Sequence, residues 1–190
     1  MHIFLETDRL RLRRFTEHDV DKLFHLNSDP EVMRYITGGK PTPREKIRDE
    51  IIPFHLGVYE RSDGFGTWAA ESRSSGEFLG WFHFRPGPSE GIDLGYRLRR
   101  VAWNKGYATE GSRALIRKGF TDLEVRRVFA HTMTVNAASR RVMEKSGLVL
   151  VRTFPYEGTD AIEGAEHGEV EYELTKPQWE TRASGDARLT

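Results

Sequence analysis

The 190-residue chain contains no cysteine, so a disulfide framework, a thiolate metal site and a cysteine nucleophile are all excluded. It also carries no net charge, since 29 lysines and arginines are matched by 29 aspartates and glutamates. Affinity for a phosphate backbone needs a clustered excess of basic side chains, and no nucleic-acid partner is expected. Nowhere do about 18 apolar residues run uninterrupted, and residues 1–14 mix charges with apolar side chains rather than forming an apolar signal core. A cytoplasmic protein without a membrane partner is the expectation. The seven histidines show neither His-Glu-x-x-His nor a comparable ligand spacing, and no metal is expected. What remains is a 37% apolar chain, long enough to bury one sizeable core.

Periodicity supplies the element order. Leucines and arginines alternate over residues 4–15 as in one half-buried strand, Leu10 and Leu12 on one side and Arg9, Arg11 and Arg13 on the other. Thr16 then reads as the N-cap of a helix carrying Val20, Leu23 and Phe24. A second helix starts at Pro30 with Ser28 or Asp29 as cap and stops at Gly38-Gly39. Thr42-Pro43-Arg44-Glu45 has the form of a capping box with proline at the first helical position, and Ile47, Ile51, Phe54 and Val58 follow on one predicted face. Strands are predicted over 67–71, 78–85 and 92–98, a helix over 107–120, a strand over 127–132, and a helix over 136–146 with Asn136 as its cap. Strands over 148–154 and 169–174 close the order, and the residues from Gln178 lack periodicity. The sum is an α+β fold with a mixed sheet: one domain over residues 1–176 and a poorly ordered tail over 177–190.

The segment linking the 92–98 strand to the 107–120 helix, Arg99-Arg100-Val101-Ala102-Trp103-Asn104-Lys105-Gly106-Tyr107-Ala108-Thr109-Glu110, bears on chemistry. Gly106 permits a tight turn whose free N–H groups, with the positive end of the helix dipole, can converge on an anion. Arg99, Arg100 and Lys105 could add charge-assisted bonds. The pattern is neither a P-loop nor a dinucleotide fingerprint, and a plain strand-to-helix turn with solvated basic residues accounts for it equally well.

The segment has company. Glu6-Thr7-Asp8-Arg9-Leu10, Asp29-Pro30-Glu31-Val32-Met33, Asp93-Leu94-Gly95-Tyr96-Arg97-Leu98, the Trp103 to Glu110 run and Asn136-x-x-Ser139-Arg140-Arg141-Val142-Met143-Glu144-Lys145-x-Gly147 occur in this order. Together they resemble the GNAT acetyltransferases, in the branch related to the ribosomal-protein N-terminal acetyltransferases. The resemblance implies the GNAT fold: a mostly antiparallel sheet with helices on both faces, splayed between its fourth and fifth strands, here 92–98 and 127–132. It also implies acetyl-CoA as cosubstrate, an amine acceptor, either a protein N-terminus or a small molecule, and a homodimer as the family's common assembly.

The resemblance further implies site roles. Trp103, Gly106 and Ala108 fall on the family's phosphate-binding pattern, with tryptophan in place of its first residue. The backbone of Asn104, Lys105, Gly106, Tyr107, Ala108 and Thr109 would hold the pyrophosphate, main-chain groups of Tyr96, Arg97 and Leu98 would run along pantetheine, and Asn136 would bond the same arm. A main-chain N–H near Leu98 is the candidate oxyanion donor. Met143 stands where many relatives carry a tyrosine acid, which leaves Ser139, near the thioester sulfur, as substitute donor. Asp93 is a candidate base, directly or through a water, or else a partner of Arg97, its neighbour on the same strand face.

Several features have plain readings beside functional ones. The seven acids Glu157, Asp160, Glu163, Glu166, Glu169, Glu171 and Glu173 form a solvated loop or an acidic lip that attracts a cationic amine. Trp68, Trp81, Phe82, Phe84 and Tyr35 are core or an acceptor wall, and His83 reads as structural. A non-catalytic acyl-CoA sensor is the alternative function, with Met143 as its support.

Overall fold

The computed structural model describes residues 2–88 and 90–186. Eight strands form one sheet in the order β1-β2-β3-β4-β5-β6-β8-β7. β1 (Ile3–Glu6) and β2 (Leu10–Arg14) form a hairpin, where the alternation predicts one strand. Thr7 closes the turn, its N–H donating to the Leu10 carbonyl and its hydroxyl accepting from the Leu10 N–H. The splayed pair, fourth and fifth in the expected order, is therefore β5 (Ile92–Leu98) and β6 (Arg127–Met133). β3 (Gly66–Ser72), β4 (Phe78–Pro86) and β5 run antiparallel, while β5 and β6 are parallel and pair only at Ile92 with Val128 and Asp93 with Phe129. Beyond Asp93 the two strands part. β7 (Val149–Phe154) and β8 (Glu169–Thr175) complete the far half.

Both faces of the near half are covered, so strict leucine-in, arginine-out alternation fails at Arg13. Its guanidinium is buried and pairs with Asp19 at 2.7 Å and Glu71 at 2.7 Å. A buried pair of this kind needs its hydrogen bonds filled, and Thr16 and Lys22 complete the network on Asp19.

Helices α1 (Val20–Ser28) and α2 (Pro30–Thr37) meet at Asp29, whose side chain caps α2, and Gly38 ends α2 in the left-handed conformation. α3 (Arg44–Lys46) and α4 (Ile52–Arg61) are joined by a π turn over Ile47–Ile51. Pro53 explains it: proline has no N–H for the carbonyl four residues back and its ring crowds that carbonyl, so the ladder widens by one residue. The buried series is accordingly Ile47, Ile52 and Tyr59, and Phe54, predicted on the buried face, is 56% exposed. The Thr42 capping box does not form, because Pro43 occupies the cap position without a side-chain bond.

On the opposite face lie α5 (Tyr107–Asp122) and α6 (Ala137–Lys145). Gly111 and Gly119 let α5 ride directly on β4, since a Cβ at either would fall 2.4 Å from the Phe82 ring or 2.6 Å from the Phe84 ring. Trp68, Phe82 and Phe84 are core. The tail expected to fray from Gln178 is instead helical in α7 (Lys176–Asp186), pinned by Trp179 against Phe120 at 5.6 Å and by Arg182 donating to the Gly147 carbonyl. Residues 187–190 lie outside the described part. Among the described residues no helix is long and apolar enough to cross a membrane.

Candidate active site

The parting of β5 from β6 leaves Leu94–Leu98 without a strand partner on one side, an edge on which an extended chain can dock through main-chain bonds. The exit of β5 is capped by Trp103, whose indole N–H donates to the Leu98 carbonyl at 2.8 Å. Asn104 (φ 58°) and Gly106 (φ 81°) are both left-handed, which curls the turn before α5 so that its N–H groups share one side. The first N–H groups of α5 have no intrahelical partner by construction. Backbone freedom and the helix dipole thus meet at Gly106 in an open cradle suited to a pyrophosphate.

A link with no signal in the periodicity holds this cradle in place. Arg9, at the β1–β2 turn, bonds the Glu110 carboxylate through Nε at 2.6 Å and through its own backbone N–H at 3.0 Å, and donates to the Lys105 carbonyl at 2.9 Å. Thr7 adds a hydroxyl bond of 2.6 Å. Partial burial works to raise the Glu110 pKa, but these donors win and hold it below its ordinary value. The basic residues expected at the cradle are partly committed elsewhere: Arg99 pairs with Glu77 and Arg100 with Asp29, whereas Lys105 is exposed and has no ion-pair partner among the described residues.

Two clusters flank β5, one on each face. On the α5–α6 face, the Tyr96 hydroxyl lies 3.0 Å from the Ser139 carbonyl and 3.0 Å from Ser139 Oγ. Burial pushes the Tyr96 phenol well above its usual range, against the Ser139 bond, so the phenol stays protonated. Asn136 caps α6 through Oδ1 to the Ser139 N–H and donates from Nδ2 to Thr132, which leaves one amide N–H to give. Met143 is buried in the core.

On the α1–α4 face, cross-strand partners set a second cluster: Trp81 opposite Arg97, His83 opposite Gly95, and Arg85 opposite Asp93. Asp93 does not pair with Arg97. It lies 3.1 Å from His83 Nε2 and 3.7 Å from Arg85. Gly95 makes this possible, since a Cβ there would sit 2.4 Å from the His83 ring. Burial tends to raise the Asp93 pKa, but His83, Arg85 and His131 outweigh it and keep the carboxylate below its ordinary value. A pocket of about 340 Å³, lined among others by His55, Phe65 and Arg85, opens beside this cluster.

The acidic segment is not a free lip. Glu163 forks onto Arg34, Asp160 lies 3.7 Å from Lys40, and Glu171 and Glu173 are taken by Arg127, Arg152 and His131. Paired carboxylates exert little steering, so these four add little to an acidic lip. The contacts of His83 with Asp93, of Arg9 with Glu110 and of the Tyr96 hydroxyl with Ser139 are absent from the sequence reading, which ranks His83 as structural rather than catalytic. A histidine flanked by two core phenylalanines on a strand, and so facing the other way, was the one available signal for His83.

The chain matches the Acetyltransferase (GNAT) domain family over residues 9–149. It is 34% identical over 187 residues to the FsC-acetyl coenzyme A-N(2)-transacetylase of Aspergillus fumigatus, covering 92% of this chain and 77% of that one. In structure it is similar to RimL, a ribosomal L7/L12 alpha-N-protein acetyltransferase in complex with coenzyme A, with a TM-score of 0.76 at 18% identity over 92% of this chain and 98% of that one. The spermidine N-acetyltransferase of Vibrio cholerae in complex with CoA and spermine gives a TM-score of 0.74 at 15% identity, covering 91% and 99%. At these identities the two structures speak to the fold alone.

Proposed function

Since the chain belongs to the GNAT acetyltransferase family, whose members take their acetyl group from acetyl-CoA, we propose that it N-acetylates a primary amine by direct attack on the thioester. The observation that carries this reading is the unpaired edge of β5 running into the left-handed turn at Gly106. Main-chain groups of Tyr96, Arg97 and Leu98 run along pantetheine, Trp103 to Thr109 cradle the pyrophosphate, and the remaining Asn136 N–H bonds the pantetheine arm. The chain acts as one catalytic domain in the cytoplasm, with α7 docked on it. When bound, acetyl-CoA supplies an electrophilic carbonyl and leaves as a thiol.

The chain's own groups do the rest. Only a neutral amine attacks, so a proton must leave the acceptor. Asp93, held as an anion, is a poor base towards an ammonium, but it lies 3.1 Å from His83 Nε2, where its charge stabilises the imidazolium that forms when His83 takes the proton. We assign the base role to His83 with Asp93 as its positioning residue. A main-chain N–H near Leu98 meets the developing oxyanion charge. The Tyr96 proton is satisfied by the Ser139 carbonyl, which leaves the Ser139 hydroxyl free to donate to the departing sulfur. This hydroxyl pair supplies what Met143 cannot, and it weighs against a non-catalytic sensor.

The acceptor is a protein N-terminal α-amine or a small-molecule amine, classes named among the relatives. The test is thiol release from acetyl-CoA across peptide N-termini, amino acids, polyamines and aminoglycosides, with a coenzyme A titration alongside. Turnover on one class is expected. Tight coenzyme A binding without turnover on any amine would favour the sensor, and absence of binding would overturn the cofactor site.

A further inference from the structure

Arg97 carries a charge that the protein does not balance. Among the described residues no carboxylate lies within ion-pair distance of its guanidinium, and its buried Nε has no hydrogen-bond partner. Two neutral groups hold it: Asn27 Oδ1 accepts from Nη1 at 2.6 Å, and the Trp81 ring lies 5.1 Å below the guanidinium carbon. Burial without a counter-charge draws the guanidinium down to about 10. A half-buried cation is costly unless something pairs with it, and the other buried arginine of this sheet, Arg13, has two carboxylates.

The free part of Arg97 has a definite shape. With Nη1 taken by Asn27, the Nε–Nη2 edge remains, two parallel N–H donors matched to the two oxygens of a carboxylate. Arg97 shares its strand face with Asp93 and Gly95, the latter opposite His83. His83 lies over Gly95, two strand positions from Arg97 and so roughly 7 Å along β5, a spacing that takes an amine and a carboxylate carried on one small molecule. Trp81 stands between them, stacked on His83 at 5.6 Å and under Arg97.

We propose that Arg97 is a specificity-determining residue that binds a carboxylate on the acceptor, so that the substrate is an amine of amino-acid type rather than a polyamine or an aminoglycoside. This rests on the acetyltransferase reading above and deepens it. A guanidinium fork on a desolvated carboxylate is worth about 10- to 100-fold in discrimination.

The experiment compares kcat/KM for matched triplets, such as L-phenylalanine, L-phenylalaninamide and phenethylamine, and likewise ornithine, ornithinamide and putrescine, in wild type, Arg97→Gln and Arg97→Lys. Coenzyme A affinity and thermal unfolding are measured on each. Wild type is expected to favour the carboxylate-bearing member by 10-fold or more, although the amides have the more readily deprotonated amine. Arg97→Gln should abolish that preference chiefly through KM, and Arg97→Lys should restore part of it; the main chain of Arg97 that runs along pantetheine is retained in both. Equal use of acid and amide by wild type, or an Arg97→Gln loss that is uniform across each triplet, overturns the proposal while leaving the acetyltransferase reading intact. If Arg97→Gln fails to fold, the wild-type and Arg97→Lys ratios decide. No turnover on any amine by the folded, coenzyme A-binding wild type overturns both.

Discussion

At Asp93 burial favours the neutral acid while His83, Arg85 and His131 favour the anion, and the cations prevail. A carboxylate in that state serves better as an orienting partner than as a proton acceptor, which is why the base role passes to its neighbour. His83→Gln and Asp93→Asn should both lower kcat/KM, by about 100-fold or more for His83. Coenzyme A affinity should stay at the wild-type level in each, and a wild-type kcat/KM in His83→Gln would return His83 to a structural role. At Gly106 the left-handed backbone favours glycine, and an added Cβ would press on the Arg9 guanidinium at 3.3 Å. Gly106→Val should weaken coenzyme A binding at least 10-fold in a folded variant, as read by calorimetric titration; wild-type affinity would move the pyrophosphate elsewhere.

Elements acquire their positions from a few contacts that small residues allow. α5 sits close to the sheet because Gly111 faces the Phe82 ring with no room for a methyl group. Gly111→Val should therefore cost about 1–3 kcal/mol or more through overpacking, lowering the melting temperature and, by lifting the start of α5, coenzyme A affinity. Gly57, in α4, is a control: its nearest neighbour to an added Cβ is the flexible end of Arg61 at 3.6 Å, so Gly57→Ala should be neutral or stabilise by a few tenths to about 1 kcal/mol. The π turn before Ile52 follows the same logic in reverse, a local obstacle at Pro53 answered by widening the helix rather than ending it.

For the whole molecule the relevant quantity is how folding couples to pH. His55 in α4 is half-buried and stacked on Phe15, and desolvation, aided by the charges of Arg85 and His83, pulls its pKa from 6.5 down to about 4. The unfolded chain therefore binds a proton between pH 6.5 and 4 that the folded chain refuses. The stability from this site is fully present above pH 6.5 and is lost as pH falls towards 4. The loss should be on the order of 1–3 kcal/mol. Chemical denaturation at pH 7 and pH 5 should show His55→Gln losing less stability on acidification than wild type; parallel losses would place the sensitivity elsewhere. Glu171 acts in the same direction lower down: burial opposes, but His131 and Arg152 hold it near 2, tying β6, β7 and β8 together until strong acid.

Local signals in the sequence determined the order of elements, the caps at Asp29 and Asn136, the glycine stripe of α5 and the motif run from Arg9 to Gly147, because each rests on neighbours within a turn or two of chain. Three local readings failed where a single residue redirected the backbone: Thr7 folded one strand into two, Pro53 moved the buried face of a helix by one residue, and Trp179 gave the tail a place to dock. The site itself was legible only as a set of residue types. That Asp93 faces His83 and not Arg97, that Arg9 clasps Glu110 from 101 residues away, and that Arg97 is left with an unbalanced charge were decided by strand register and by which face of β5 each side chain shares. Those facts depend on contacts between segments far apart in the chain, and no local pattern encodes them.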